Sequence, residues 1–141
     1  METVIIFNET QIESVVDQLI TLMDSCKVFT FAGPLGAGKT TLIGRILKKC
    51  GVIEPVVTSP TFTYVNLYEN AQKQLFYHFD LYRITSLQEF INAGFDEYLY
   101  APNSWAFIEW PELIIPLLQE RVCHCELEYI DQFQRKITLR H

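Results

Sequence analysis

The sequence lacks an excess of basic residues. It has 11 Lys and Arg against 17 Asp and Glu among 141 residues, for a formal net charge of −6. Proteins that mainly bind nucleic acid usually have more basic than acidic residues, because contacts with phosphates dominate their affinity. We therefore expect no strong independent binding of RNA or DNA. An acidic face that binds a protein partner is left open.

The sequence also lacks a long apolar run. The first such run, Val4 to Phe7, follows Met1-Glu2-Thr3, which contains no basic residue, and it is too short for the apolar region of a signal peptide. No run approaches the roughly 20 apolar residues that a membrane-spanning helix needs. The pattern predicts a cytoplasmic protein that does not associate with membranes.

Cysteines are few, and their spacing argues against a metal site. Two of the four, Cys123 and Cys125, flank His124 in an alternating segment that is typical of a strand. Alternation puts both thiols on one face and His124 on the other. No second Cys/His pair stands at the spacing of a zinc site. Reduced thiols are the expectation.

The remaining composition predicts a folded chain with a substantial core. Apolar residues make up 49% of the sequence and charged residues 20%, which excludes a mostly disordered chain. A length of 141 residues is typical of one domain and is short for two. We expect residues 1–141 to form that single domain.

The strongest motif follows an apolar strand pattern at Lys27–Ala32. Residues 33–40 read Gly-Pro-Leu-Gly-Ala-Gly-Lys-Thr and match the phosphate-binding loop (P-loop) G-x-x-x-x-G-K-[ST] at each fixed position. Glycines let backbone N–H groups converge on phosphate oxygens. Lys39 is expected at the β- and γ-phosphates, Thr40 at Mg²⁺ and Thr41 at an α-phosphate. A chance glycine turn is the alternative, but the strand–loop–helix setting favours nucleotide binding.

The order of the predicted elements indicates the fold class. Strands and helices alternate in the first part of the chain, and Val122–Tyr129 with Arg135–Arg140 predicts a closing hairpin. We expect an α/β P-loop NTPase-type three-layer sandwich with a mixed, centrally parallel sheet and a C-terminal antiparallel hairpin.

Two acidic residues end apolar or aromatic runs. Asp80 follows Leu75–Phe79, and Glu109 follows Trp105–Ile108. A P-loop site needs an acid that holds the metal or orients water, at the C-terminal end of a buried strand beside the P-loop strand, and both residues fit this expectation. Asp80 could instead form a surface ion pair with Arg83, and Glu109 could merely begin a helix, where the dipole favours an acid.

Other patterns narrow the reaction. The hydroxyl-rich segment Thr58–Thr63 lies where P-loop proteins often have a γ-phosphate-sensing switch, although such a segment is more often an ordinary turn. The guanine-reading sequence N-K-x-D is absent, which argues against a GTPase. There is no arginine-rich lid of the kind that nucleotide kinases use, and Arg83 is the single suggestive arginine.

Five motifs together resemble the TsaE (YjeE) family of bacterial ATPases. They are GPLGAGKTT at 33–41, SPTFT at 59–63, HFDLYR at 78–83, GFDEYL at 94–99 and IEWPE at 108–112. The resemblance implies a slow, Mg²⁺-dependent ATPase in the synthesis of tRNA threonylcarbamoyladenosine (t6A). It implies action with TsaB and TsaD, contact with tRNA only through that complex, and no transferase activity of its own.

The resemblance also implies site roles. Thr40 and Glu109 would hold Mg²⁺, with Asp80 as the catalytic acid or a further acid at the metal. Trp110 would belong to a second switch and Ser59–Thr61 to the first. The positions implied to contact ATP or ADP are Gly33, Gly36, Ala37, Gly38, Lys39, Thr40, Thr41 and Thr61, with Glu9, Thr10 and Arg135 beside the adenine.

Two other functions are consistent with a P-loop. A small-molecule kinase would pass the γ-phosphate to an acceptor hydroxyl, but the sequence shows neither a lid nor an acceptor domain. A nucleotide-gated binding module would use ATP to switch a surface, for which the segment Trp110-Pro111-Glu112 is a candidate if it is exposed. In the ATPase, the loop amides and Lys39 would stabilise charge on the transferring phosphoryl group, while Asp80 or Glu109 orients the water or the metal.

Overall fold

The computed structural model describes residues 1–53 and 63–141, and a seven-stranded mixed sheet dominates this part of the chain. Along the sheet the strand order is β1-β7-β6-β2-β5-β4-β3. Strands β6, β2, β5 and β4 run parallel, while β3, β7 and β1 are joined by antiparallel pairing. The strands are β1 (Glu2–Asn8), β2 (Val28–Ala32), β3 (Val65–Glu69), β4 (Leu75–Asp80), β5 (Ser104–Glu109), β6 (Val122–Tyr129) and β7 (Gln134–Arg140).

Helices cover both faces of the sheet. Helices α1 (Ile12–Leu22) and α2 (Lys39–Lys49) pack their apolar stripes on one face, against Phe29 and Phe107 among others. Helix α3 (Leu87–Asn92) and two 3₁₀ turns, Phe95–Tyr98 and Glu112–Leu117, cover the other. A third 3₁₀ turn, Glu9–Gln11, leads into α1. The predicted three-layer sandwich is confirmed.

Local sequence signals explain where the helices begin and end. The Ser86 hydroxyl accepts a hydrogen bond from the Glu89 backbone N–H at 3.1 Å and so caps the N-terminus of α3. Helix α2 ends before Gly51, whose φ of +85° suits a residue without a side chain. The segment Glu112–Leu117 forms a 3₁₀ turn rather than an α-helix, and it contains Pro116, which lacks the N–H that an α-helix needs there.

The first and last strands of the described chain pair with each other at one edge of the sheet. Strand β1 pairs with β7 from Glu2 opposite Arg140 to Asn8 opposite Gln134. The Met1 amino group donates to the His141 carbonyl oxygen at 2.7 Å, so the two ends of the chain are adjacent. The predicted hairpin of β6 and β7 is confirmed.

The cysteines are free thiols, and their arrangement follows the predicted alternation. The buried Cys123 and Cys125 sulfurs lie 3.9 Å apart on one face of β6. His124 faces the other way, with its Nδ1 2.8 Å from the Thr30 hydroxyl. Across residues 1–53 and 63–141, none of the helices has the length and apolar character needed to traverse a bilayer.

Candidate nucleotide-binding site

The phosphate loop joins β2 to α2 at the end of the parallel strands. Gly33 has φ +143°, and a Cβ there would lie 2.4 Å from the Leu127 carbonyl oxygen, so only glycine fits. The Tyr129 hydroxyl donates to the Leu35 carbonyl oxygen at 3.1 Å. The closing hairpin therefore holds the loop against the sheet.

Lys39, the first residue of α2, is buried in this loop. Its Nζ donates to the carbonyl oxygens of Gly33 at 2.5 Å and Pro34 at 3.0 Å. The same ammonium lies 3.9 Å from the centroid of the Trp110 ring. Burial lowers the pKa of Lys39, and the nearby carboxylates, Glu109 foremost, oppose that shift. An incoming phosphate would replace the two carbonyl oxygens with stronger, charged acceptors.

Two buried carboxylates face the loop. Glu109 ends β5, which pairs directly with β2, and Asp80 ends β4, the next strand outward. The expectation that both strands flank the loop strand is wrong for β4, since β5 lies between them. Asp80 and Glu109 are nevertheless register partners across β4 and β5. The strand tips thus bring both predicted acids to the same edge of the sheet.

Glu109 is held from two sides. The Thr40 hydroxyl lies 2.9 Å from each of its carboxylate oxygens. The Nε2 of His78 lies 2.6 Å from Glu109 Oε2. Asp80 Oδ1 accepts from the Tyr82 backbone N–H at 3.1 Å. Hydrogen bonds within the protein therefore orient both acids.

The donor set fits Mg²⁺. Thr40, Asp80 and Glu109 line one cavity of about 460 Å³ together with Lys39 and Arg83. They offer hydroxyl and carboxylate oxygens, the hard ligands that Mg²⁺ prefers. Among the described residues, no group of three or more His, Cys, Asp and Glu side chains could hold a metal. One or two carboxylates combined with substrate phosphates are the usual protein environment of Mg²⁺.

A second cavity of about 590 Å³ also borders the loop. It is lined by Glu9 and Thr10 from the turn before α1 and by Arg135 from β7. The Arg135 guanidinium stacks on the Tyr129 ring at 4.4 Å. Both cavities include Gly36, Gly38 and Thr41. The structure thus brings three residues from distant segments together beside the loop.

The comparisons with known proteins agree with this arrangement. The family model described as threonylcarbamoyl adenosine biosynthesis protein TsaE matches residues 6–137. The chain belongs to the TsaE family. As the resemblance in the motifs indicated, the family match extends over most of the chain.

Named TsaE relatives and one solved structure resemble the chain. The tRNA threonylcarbamoyladenosine biosynthesis protein TsaE of Borreliella burgdorferi is 37% identical over 92 residues, 65% of this chain and 65% of that protein. The protein of the same name from Aquifex aeolicus is 31% identical over 144 residues, covering 99% of this chain and 96% of its own. The crystal structure of Bacillus subtilus YdiB matches with a TM-score of 0.69 and 26% identity, over 99% of this chain and 86% of that one.

Some expected features of a TsaE site lie elsewhere or outside the described residues. The first-switch residues Ser59–Thr61, Thr61 among them, fall outside the described ranges. The segment Trp110-Pro111-Glu112 is not the exposed surface that a binding module would need. Pro111 is buried and Trp110 half-buried, with its ring 4.9 Å from that of Tyr82, and only Glu112 is exposed.

Sequence reasoning missed two residues that contact the candidate site, His78 and Tyr129. His78 stands two positions before Asp80, so strand alternation alone places it on the same face of β4. Its motif, HFDLYR, therefore contained the signal. Tyr129 gave no such signal, because its partner Leu35 lies 94 residues away in the sequence.

The Lys39–Trp110 contact predicts a spectroscopic response to nucleotide. When Lys39 turns to a phosphate, the environment of the Trp110 ring changes, so its fluorescence should change on addition of ADP or ATP. Trp110→Phe should abolish that change. Trp105→Phe is the matched control, because the Trp105 ring lies 4.6 Å from the Lys27 ammonium near the start of β5, whereas Trp110 follows the end of that strand. A response that survives Trp110→Phe and disappears in Trp105→Phe would contradict the prediction.

Proposed function

We propose that the chain, residues 1–141, is a single-domain Mg²⁺-dependent P-loop ATPase that serves t6A formation on the adenosine 3′ of the tRNA anticodon. It acts with TsaB and TsaD and does not itself transfer the threonylcarbamoyl group. The observation that carries the ATPase proposal is the contact of Thr40 with both oxygens of Glu109, 2.9 Å each, at the start of the helix that follows the loop. Membership of the TsaE family supports the pathway.

The proposed nucleotide spans both cavities. Its triphosphate lies over the loop, where the Gly36 and Gly38 backbone and the start of α2 favour anions. Its nucleoside lies in the cavity of about 590 Å³, beside Glu9, Thr10 and Arg135. The residues that the two cavities share support one elongated ligand rather than two separate ones.

The proposed chemistry is attack of water on the γ-phosphate, which breaks the bond to the ADP oxygen. Lys39 donates to the β- and γ-phosphates and stabilises the charge that develops there. Thr40 and Glu109 would hold Mg²⁺, and the ion would supply positive charge beside the phosphate oxygens. The carboxylate of Asp80, or that of Glu109, accepts a hydrogen bond from the water and orients it.

Turnover by the chain alone is expected to be slow. An arginine that reaches the transferring phosphate is worth about 10³–10⁵ in rate in related chemistry. Arg83 is the arginine among the described residues that line the phosphate-side cavity, and no arginine-rich lid accompanies it. We propose that TsaB and TsaD raise the rate, and that tRNA contact is made through their complex. Because tRNA is the final substrate, the proposed compartment is the cytoplasm.

The test is ATP hydrolysis by the purified chain, alone and with TsaB and TsaD added. We expect stimulation by the pair, and its loss in Lys39→Ala. Robust turnover that the pair leaves unchanged would contradict the pathway proposal and leave a solitary ATPase. Transfer of the γ-phosphate to a metabolite would replace both with a kinase.

A further inference from the structure

His78 is the one fully buried ionisable side chain of β4 that the proposed mechanism does not use. Its exposed fraction is 0%, and it stands between the apolar Tyr77 and Phe79. Its Nε2 lies 2.6 Å from Glu109 Oε2 on the neighbouring strand. The imidazole thus touches the acid that faces the phosphate loop, while the loop itself lies beyond that acid.

The second ring nitrogen of His78 is buried and lies apart from other polar groups of the described residues. Nδ1 has no hydrogen-bond partner among the residues that the structure describes. A buried polar atom without a partner costs about 1–3 kcal/mol. A neutral ring that donates from Nε2 to the carboxylate must leave Nδ1 as an acceptor, so the contact with Glu109 dictates which nitrogen is left without a partner. A phenylalanine at this position would have no such buried nitrogen. Histidine keeps Nδ1 buried without a partner among the described residues, while its Nε2 contacts Glu109.

The two partners of Glu109 have different freedom. Thr40 lies on α2, and its hydroxyl contacts both carboxylate oxygens. Under the proposed function the Thr40 hydroxyl would bind Mg²⁺. Glu109 would then lose its hydrogen bond with Thr40. His78 is enclosed within the sheet and keeps its contact with Oε2 alone.

We propose that His78 is a positioning residue, which orients the Glu109 carboxylate for Mg²⁺. This inference rests on the proposed ATPase function. Hydrogen-bond partners of metal-binding side chains typically contribute about 10–100-fold in metal affinity or activity. The role of His78 is therefore to reduce the Mg²⁺ concentration that the nucleotide complex requires.

Two amide variants of His78 distinguish a residue that orients Glu109 from one that only fills space in the core. In His78→Gln the amide nitrogen can occupy the place of Nε2 and donate to Glu109. In His78→Asn the shorter side chain reaches only the place of Nδ1. His124→Asn is the matched control, since His124 pairs with Thr30 at 2.8 Å and makes no contact with Glu109.

The readout is the binding of a fluorescent ATP analogue as a function of Mg²⁺ concentration, which requires no turnover. We expect His78→Asn to raise the half-maximal Mg²⁺ concentration by about 10-fold or more. We expect His78→Gln to restore it to within a few-fold of the original chain, and His124→Asn to leave it unchanged. An unaltered Mg²⁺ requirement in His78→Asn would overturn the proposal for His78. Failure of the original chain to bind the analogue at any Mg²⁺ concentration would instead overturn the proposed function.

A measurement on the unsubstituted chain applies if a variant fails to fold. Nitrogen and proton NMR of the histidine rings should show the His78 proton on Nε2, with a resonance that shifts when Mg²⁺ is added to the ADP complex. A proton on Nδ1, or a resonance that Mg²⁺ leaves unmoved, would overturn the proposal.

Discussion

Lys39→Ala should lower the affinity for ATP by roughly 100-fold or more. Each hydrogen bond to a charged group is worth about 1.5–3 kcal/mol, and Lys39 is expected to donate to two phosphates. Its hydrogen-bond partners in the structure are two carbonyl oxygens of the loop, at 2.5 and 3.0 Å from Nζ. Lys39→Ala therefore removes the positive charge that the phosphates would bind in place of these carbonyl oxygens. Calorimetric titration with ATP and Mg²⁺ measures the loss.

The matched control for Lys39 is Lys27→Ala. Both lysines lie over a tryptophan ring, Lys27 at 4.6 Å from Trp105 and Lys39 at 3.9 Å from Trp110. Burial lowers the pKa of both ammonium groups. Only Lys39 lies in the phosphate loop, so Lys27→Ala should bind ATP like the original chain. Tight ATP binding by a folded Lys39→Ala would contradict the assignment of the loop.

Glu109→Gln should reduce ATP hydrolysis by about 10²–10³-fold, the usual effect of removing one preorganised electrostatic contact at a reacting centre. The amide removes the negative charge that the proposed Mg²⁺ site requires. It also turns a donor toward Thr40 or His78, both of which now donate to the carboxylate. The Mg²⁺ concentration for half-maximal turnover should rise as well. Steady-state phosphate release at varied Mg²⁺ measures both effects.

The control for Glu109 is Glu112→Gln. Glu112 is exposed and three positions further along the chain, yet it also acts electrostatically on Lys39. Turnover should change little in that variant. Unchanged turnover and an unchanged Mg²⁺ optimum in Glu109→Gln would make Glu109 a structural residue. Asp80→Asn then separates the two acids, because an acid that orients only water affects the rate and leaves the Mg²⁺ requirement as it is.

The loop and the strand tips were predictable because their signals are local. The spacing of Gly33, Gly38 and Lys39 is dictated by backbone geometry around a phosphate, and the strand before it is a continuous apolar run. Asp80 and Glu109 were found for a similar reason, since each ends such a run. The roles of these residues in catalysis stay predictions, which the two substitutions above address.

The sheet order was not predictable from the same signals. Strand alternation shows which face a residue occupies but not which strand lies beside it. For that reason β5 was not foreseen between the loop strand and β4. The His78–Glu109 contact, 31 residues apart in the sequence, was missed for the same cause.

The contact of Gly33 with the Leu127 carbonyl oxygen bears on how the chain folds as it is synthesised. The loop at residues 33–40 leaves the ribosome long before β6, and Tyr129, which bonds Leu35, emerges later still. Strand β1 likewise waits for β7, to which it pairs along its whole length. Contacts between such distant segments form slowly, because a long stretch of chain must be ordered first. A nascent chain without this hairpin therefore lacks the contacts that hold the phosphate loop, so the proposed binding of nucleotide requires that β6 and β7 have been synthesised.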